Sequence, residues 1–235
     1  MLCKRSDNFH EISSIFYPVK SLFDILEIVN SDKFSFSTSG IPIKTNNNIC
    51  EIAYDILQQE FKLSPVKIHL HKQINIGSGL GGGSSDGAFT LKLLNKIFKL
   101  NLSVKQLESY ALQLGADCPF FIQNKPKYVT GLGEFLSPIN LDLSSYNIRI
   151  VNSNLHISTV KAYQAILPSY PEKKLIESIR RPIKFWKEDV KNDFEDSIFL
   201  KYPELRDIKE RLYDEGALYV SMSGSGSSIY AIFKK

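Results

Sequence analysis

The chain lacks most features that mark a specialised protein class. Only three of its 235 residues are cysteines, Cys3, Cys50 and Cys118, odd in number and far apart. That pattern offers neither a disulfide framework nor a zinc spacing, and it fits a reducing compartment. No apolar run approaches the roughly eighteen residues that a membrane span needs. The opening MLCKRSDNFHE has no apolar core of a signal peptide. A cytoplasmic protein with no membrane partner is therefore expected. Charge of one sign is scarce too: 29 Lys and Arg against 25 Asp and Glu leave a formal +4. So small an excess gives no ground for a nucleic-acid partner, and an anionic small molecule suits it equally well. There is no low-complexity tail and no internal repeat.

What the chain does have is a local excess of glycine. Of 13 glycines, five fall between Gly77 and Gly83, in 74-INIGSGLGGGSSDGAFTLKLLN-95. A strand-like run, 66-VKIHLHKQI-74, precedes this loop, and a helix-like run, Ser85 to Leu100, follows it. Glycine lets backbone N–H groups approach a ligand closely, and a helix N-terminus adds the positive end of its dipole. Together they bind phosphate. Ser84 and Ser85 add hydroxyls that can donate to phosphate or contact a metal held by it. The run is neither a Walker loop nor a dinucleotide fingerprint, because it lacks Gly-Lys-Ser/Thr and the later acidic residue.

The remaining elements are mixed without regular alternation, which indicates an α+β fold. Strands are expected at 13–19, 24–29, 34–39, 127–131, 147–152, 217–222 and 228–233. Helices are expected at 49–61, from Ser103 to about 115, and at 158–166, 173–181, 185–199 and 203–216. Ser103 with Gln106 makes a capping box. Pro203 and Gly216 bracket the last helix in the usual order. The polar stretch 141-LDLSSYN-147 is the best linker, dividing a domain of residues 1–140 from one of residues 141–235. Trp186, Phe194 and Phe199 read as core. His69 and His71 alternate with Lys67 on a solvated strand face, and no residue is assigned as a metal ligand. Asp117 stands in an apolar setting, 115-GADCPFF-121, as either a proton acceptor or a residue bonded to local backbone.

The loop GLGGGSSDGA resembles the second motif of the GHMP kinases. Supporting matches are 4-KRSDNFHEISSIFYPV-19, 115-GADCPFF-121, 130-TGLGE-134, 192-NDFE-195 and 221-SMSGSGSSIY-230. The first two are similar to the members that phosphorylate the 2-hydroxyl of a cytidine diphosphate-linked methylerythritol in the non-mevalonate isoprenoid route. The resemblance implies a two-domain fold, with an N-terminal half like the second domain of ribosomal protein S5 and a ferredoxin-like C-terminal half. It implies ATP and Mg²⁺, with ATP held by Gly77, Ser78, Gly79, Leu80, Gly81, Gly82, Gly83, Ser84 and Ser85. It implies Asp117 as the catalytic base, and Phe9 and His10 as contacts for cytosine. The hairpin residues Ser223, Gly224, Ser225 and Gly226 match a third glycine motif beside the phosphate loop. The assembly expected is a monomer or homodimer.

Some positions depart from the family's pattern. Asn75 stands where Pro is usual, Ser78 where Ala is usual, Asn8-Phe9 where Gly-Tyr is usual, and Gly87 replaces an alanine. The family's opening strand, with Pro-Ala-Lys-Ile-Asn-Leu, has no match, since Met1 falls past it. A weakly catalytic nucleotide-binding homologue, or a family kinase for another small alcohol, are the alternative readings.

Overall fold

A computed structural model describes residues 1, 3–4, 10–43, 47–166 and 174–235. The chain opens with β1 (Cys3–Lys4), β2 (His10–Phe16), β3 (Ile25–Asn30) and β4 (Ser35–Gly40). Helix α1 (Ile49–Phe61) and strand β5 (Val66–Lys72) lead to α2 (Gly82–Ile97), α3 (Val104–Leu114) and α4 (Cys118–Gln123). Strands β6 (Lys127–Gly131), β7 (Phe135–Pro138) and β8 (Tyr146–Val151) follow. Then come α5 (Thr159–Gln164), α6 (Leu175–Ser178), a 3₁₀ turn (Ile183–Phe185), α7 (Trp186–Asp189), α8 (Phe194–Lys201) and α9 (Pro203–Asp214). The hairpin β9 (Tyr219–Met222) and β10 (Ile229–Lys234) closes the order.

These elements form two compact units that interleave along the chain. One comprises Met1–Phe16, Gly77–Leu80 and Pro126–Lys235; the other comprises Tyr17–Ile76 and Gly81–Lys125. Residues 1–16 and 126–140 thus group with the C-terminal half, because β2 pairs along its length with β6, from Ile12 opposite Gly131 to Phe16 opposite Lys127.

The first unit holds two antiparallel sheets, ordered β1-β2-β6-β7 and β8-β10-β9. Its main core gathers Leu205 and Leu212 of α9, Phe194, Ile198 and Phe199 of α8, and Val220, Met222, Ile229 and Ala231 of the hairpin. Trp186 is buried as well, and its indole N–H donates to the Arg181 carbonyl at 3.0 Å. The stretch 185–199, expected as one helix, is broken between α7 and α8, where Asn192 turns its amide to other backbone groups.

The second unit is a three-stranded sheet, β3-β5-β4, with β4 parallel and β3 antiparallel to β5. Val66, Ile68 and Leu70 point from β5 into a core shared with Leu57 of α1 and Leu91 and Leu94 of α2. The opposite face carries His69, bonded to Ser37 and Ser39 at 2.9 Å each, and His71, bonded to Ser39 at 2.9 Å. Among the described residues no group of three metal-ligating side chains occurs. Helices α1 and α3 both start on capping boxes, Asn48 with Glu51 and Ser103 with Gln106. Each cap satisfies N–H groups that the helix leaves open and contributes about 1 kcal/mol.

Candidate active site

The glycine-rich loop belongs to both units in sequence, and each half has its own surroundings. In the first unit, Gly77–Leu80 lies on the turn between β9 and β10. Ser223 Oγ donates to the Gly79 carbonyl at 2.8 Å, and Ser228 N–H donates to the Ser78 carbonyl at 3.0 Å. Gly79 has φ +77°, and a side chain there would overlap the Ser223 carbonyl. Glycine is therefore required twice over, for conformation and for space. The imidazole of His156 sits against Gly77, with Nδ1 3.1 Å from where a Cβ would be. The third glycine motif, Ser223 to Gly226, is brought directly against the start of the loop.

In the second unit the loop ends one turn earlier than its sequence suggests. Gly81, at φ +68°, is the N-cap of α2, and Gly82 and Gly83 already belong to the helix. Two glycines inside a helix cost roughly 1 kcal/mol each against alanine, so each needs a reason. Gly82 packs on Ile74, whose Cγ2 lies 2.8 Å from where a Cβ would be, with the Lys72 ammonium 3.2 Å from the same point. Gly81 packs on the Phe121 ring of α4. Gly83 has no such neighbour: it is exposed, and a Cβ there would meet nothing within 4 Å. Its backbone faces open space at the positive end of a 16-residue helix.

Asp117 comes next to this helix start through its neighbour in sequence. Ser84, in the first turn of α2, hydrogen-bonds the thiol of Cys118, whose pKa burial still pushes up to about 11. Asp117 is the N-cap of α4 but makes no side-chain cap bond. The sequence places it at the end of a helix; the structure places it at the start of a new one, which Pro119 permits because a first-turn proline loses no hydrogen bond. Asp117 as a residue is exposed, yet protein packed around its carboxyl disfavours the charged form and raises the pKa above the usual carboxylate value. A carboxyl held up in this way and left without a local bond is suited to accept a proton.

Three further residues escaped sequence reasoning. Asp24, Lys72 and Asp86 form a buried ion cluster, with Lys72 Nζ 2.6 Å from each carboxylate. Asp24 also accepts from the N–H groups of Gln73 and Ile74, at 2.6 and 2.9 Å. The cluster ties the end of β5 to the first turns of α2, beneath Gly82. Partners 48 and 14 residues apart leave no local pattern to read.

His10 opens β2 in the first unit, and its ring lies 5.5 Å from that of Tyr163 on α5. Tyr163 in turn meets Phe194 edge-on at 5.0 Å. Phe9 lies outside the described residues.

Residues 47–125 match the family model for the N-terminal domain of GHMP kinases, and residues 172–235 match the one for their C-terminal domain. The chain belongs to the GHMP kinases. Members of this family are ATP-dependent kinases. A 4-diphosphocytidyl-2-C-methyl-D-erythritol kinase of Azobacteroides pseudotrichonymphae genomovar. CFP2 is 50% identical over 238 residues, spanning 100% of this chain and 89% of its own. The protein of the same name from Bacteroides thetaiotaomicron is 50% identical over 237 residues, spanning 98% of this chain and 86% of its own. Among solved structures, a 4-(cytidine 5'-diphospho)-2C-methyl-D-erythritol kinase superposes with a TM-score of 0.81 at 28% identity, over 97% of this chain and 83% of that one. The GHMP kinase fold, with its mixture of helices and strands, agrees with the α+β class expected from sequence. No helix among the described residues is long and apolar enough to cross a membrane.

Proposed function

We propose that this chain transfers the γ-phosphoryl group of ATP to the 2-hydroxyl of 4-diphosphocytidyl-2-C-methyl-D-erythritol, within the non-mevalonate route to isoprenoid precursors. The observation that carries the reading is 50% identity, along the whole chain, to a kinase named for that substrate.

The local geometry supports the following residue roles. Gly77 to Leu80 and Gly81 to Ser85 hold the phosphates through backbone N–H groups, and Gly83 is the position where a ligand meets open backbone. The hydroxyls of Ser84 and Ser85 lie half-buried in the first turn of α2, as donors to the same phosphates. The glycine turn Ser223–Gly226 keeps the first half of the loop in shape. ATP brings the phosphoryl group, and Mg²⁺ offsets the charge on its phosphates. The hydroxyls of Ser84 and Ser85 would also be in place to contact an Mg²⁺ carried by those phosphates. Asp117 takes the proton of the attacking hydroxyl, and charge developing on the transferred group falls on fixed loop amides. His10, with Tyr163 beside it and Phe9 before it, supplies aromatic faces and a ring nitrogen for cytosine. Residues 1–140 would then carry the nucleotide loop, the cytidine contact and the base, ahead of a second domain at 141–235. A cytoplasmic monomer or homodimer without a nucleic-acid partner completes the reading, which the three scattered cysteines and the near balance of charge support.

The purified chain, given ATP, Mg²⁺ and the cytidine-bearing alcohol, is expected to release ADP in proportion to that alcohol. Turnover of homoserine or mevalonate in its place, with none on the cytidine compound, would overturn the substrate.

A further inference from the structure

Asn192 stands in the break between α7 and α8 and spends its whole side chain on backbone groups. Its amide donates to the Met222 carbonyl at 2.7 Å and the Gly224 carbonyl at 2.8 Å, and its oxygen accepts from Phe194 N–H at 3.0 Å. Glu195, one turn on and almost fully buried, accepts from Met222 N–H at 2.8 Å and Ser221 Oγ at 3.2 Å. Its other oxygen pairs with Lys209 at 2.5 Å. Residues 221 to 224 are therefore gripped on N–H and carbonyl alike by two side chains from one short stretch.

The grip continues into the phosphate loop. Beyond Met222 the chain enters a turn closed by Ser223 N–H to the Ser228 carbonyl at 2.8 Å and by Gly226 N–H to the Ser223 carbonyl at 2.9 Å. That turn bonds Gly79 through Ser223 Oγ and Ser78 through Ser228 N–H. With glycine at 224 and 226, the turn has few side chains of its own to hold it. An unbroken series of hydrogen bonds thus runs from Asn192 and Glu195, through the turn, to Ser78 and Gly79.

We infer that Asn192 and Glu195 are positioning residues for the nucleotide site, setting the backbone of Ser78 and Gly79 by fixing the turn on which it rests. The inference rests on the assignment of Gly77–Leu80 to phosphate binding. It gives the run 192-NDFE-195 a task at the ATP end of the reaction, without contact to the alcohol.

The test is ATP binding by titration calorimetry, with KM for both substrates and the melting temperature, on the parent, Asn192→Ala, Ser223→Ala and the double variant. Asn192→Ala is expected to weaken ATP binding about tenfold, the weight of one or two lost hydrogen bonds. The KM for the cytidine-bearing alcohol should stay unchanged. Ser223 lies further along the same series, so the double variant should lose less than the product of the two single losses. Losses that simply multiply, or an Asn192→Ala variant that binds ATP like the parent, would overturn the positioning role. An equal rise in both KM values with a large fall in melting temperature would also overturn it, since that is general loosening. Should Asn192→Ala fail to fold, Ser223→Ala alone decides: unchanged ATP binding removes the series. A parent that binds no ATP would instead take down the nucleotide reading on which the inference rests.

Discussion

The ammonium of Lys72 and the carboxylate of Asp86 meet at 2.6 Å inside one unit, with both side chains almost fully buried. A buried cation is costly unless it is paired, and here Asp24 completes the pairing from the other side at 2.6 Å. Removing Lys72 leaves two carboxylates facing each other out of water. Lys72→Met is expected to destabilise the fold by about 3–5 kcal/mol, the usual cost of breaking a buried pair. Urea unfolding followed by circular dichroism measures it.

The same cluster makes stability depend on pH. Burial raises the pKa of Asp86 to about 7, despite the opposing pull of Lys72. Asp24, the second carboxylate on Lys72, also accepts from two backbone N–H groups. Cys50 of α1 faces the cluster, and burial pushes its thiol up to about 12, so it stays neutral. A carboxyl with a raised folded-state pKa binds its proton more tightly folded than unfolded. Its contribution is full below the ordinary value of 3.8 and is lost as pH rises through about 7. Across that window the parent should lose stability relative to Asp86→Asn, with a slope of at most about 1.4 kcal/mol per pH unit. Parallel curves for the two proteins would show that Asp86 does not titrate there.

Two glycines of the loop should respond in opposite ways. Gly79 has no room for a side chain, because the Ser223 carbonyl occupies the place. Gly83 has open space around it and a helical backbone. Gly79→Ala is expected to lower stability by more than about 2 kcal/mol, through a clash and a strained φ. Gly83→Ala should melt at the parent's temperature or higher, since alanine favours helix by up to about 1 kcal/mol. Its KM for ATP should nevertheless rise about tenfold or more, as the methyl group takes the space of the phosphate. Thermal melts and steady-state kinetics on the two variants separate folding from binding.

That contrast shows what the sequence could and could not convey. Five glycines in seven positions signalled a ligand loop, because a turn alone needs one or two. Packing accounts for Gly77, Gly79, Gly81 and Gly82, and of the five only Gly83 is left for a ligand alone. Sequence carries no distances, so it could not sort them. Helix starts with a capping box at Ser103 or a first-turn proline at Pro203 were legible because their signals lie within one turn. The short helix α4 was not, since its six residues are too few to show a helical period. Nor was the break at Asn192, whose bonds reach residues 30 and 32 positions away. The long-range pairing of β2 with β6, which interleaves the units, has no local trace either.

Gly87 reverses a sequence-based expectation. In the first turns of α2 it departs from the alanine usual in the family, which by propensity alone costs about 1 kcal/mol. In the fold, a Cβ at this position would lie 2.8 Å from Ile49 Cγ1 of α1 and 3.1 Å from Leu114 Cδ1 near the end of α3. The missing methyl lets both helices close on α2. Gly87→Ala is therefore expected to destabilise by about 1 kcal/mol, the overpacking cost exceeding the propensity gain. A higher urea midpoint than the parent's would show that Ile49 and Leu114 can shift without penalty.

Asp117 offers the sharpest separation of catalysis from structure. Its side chain makes no cap bond to α4, so Asp117→Asn should fold with a melting temperature near the parent's. If its carboxylate takes the hydroxyl proton, the amide cannot, and kcat should fall by roughly 10²–10⁴ with little change in either KM. The pH profile gives a second reading. A base acts only when ionised, and burial raises the pKa of this carboxyl. The parent's kcat should therefore climb with pH through a value above that of an ordinary aspartate, and level off beyond it. That limb should be missing from the residual activity of Asp117→Asn. A variant with the parent's kcat would remove Asp117 as the base. A variant slowed by orders of magnitude that keeps the acid limb would assign the titration to another group, with Asp117 acting on the hydroxyl by orientation alone.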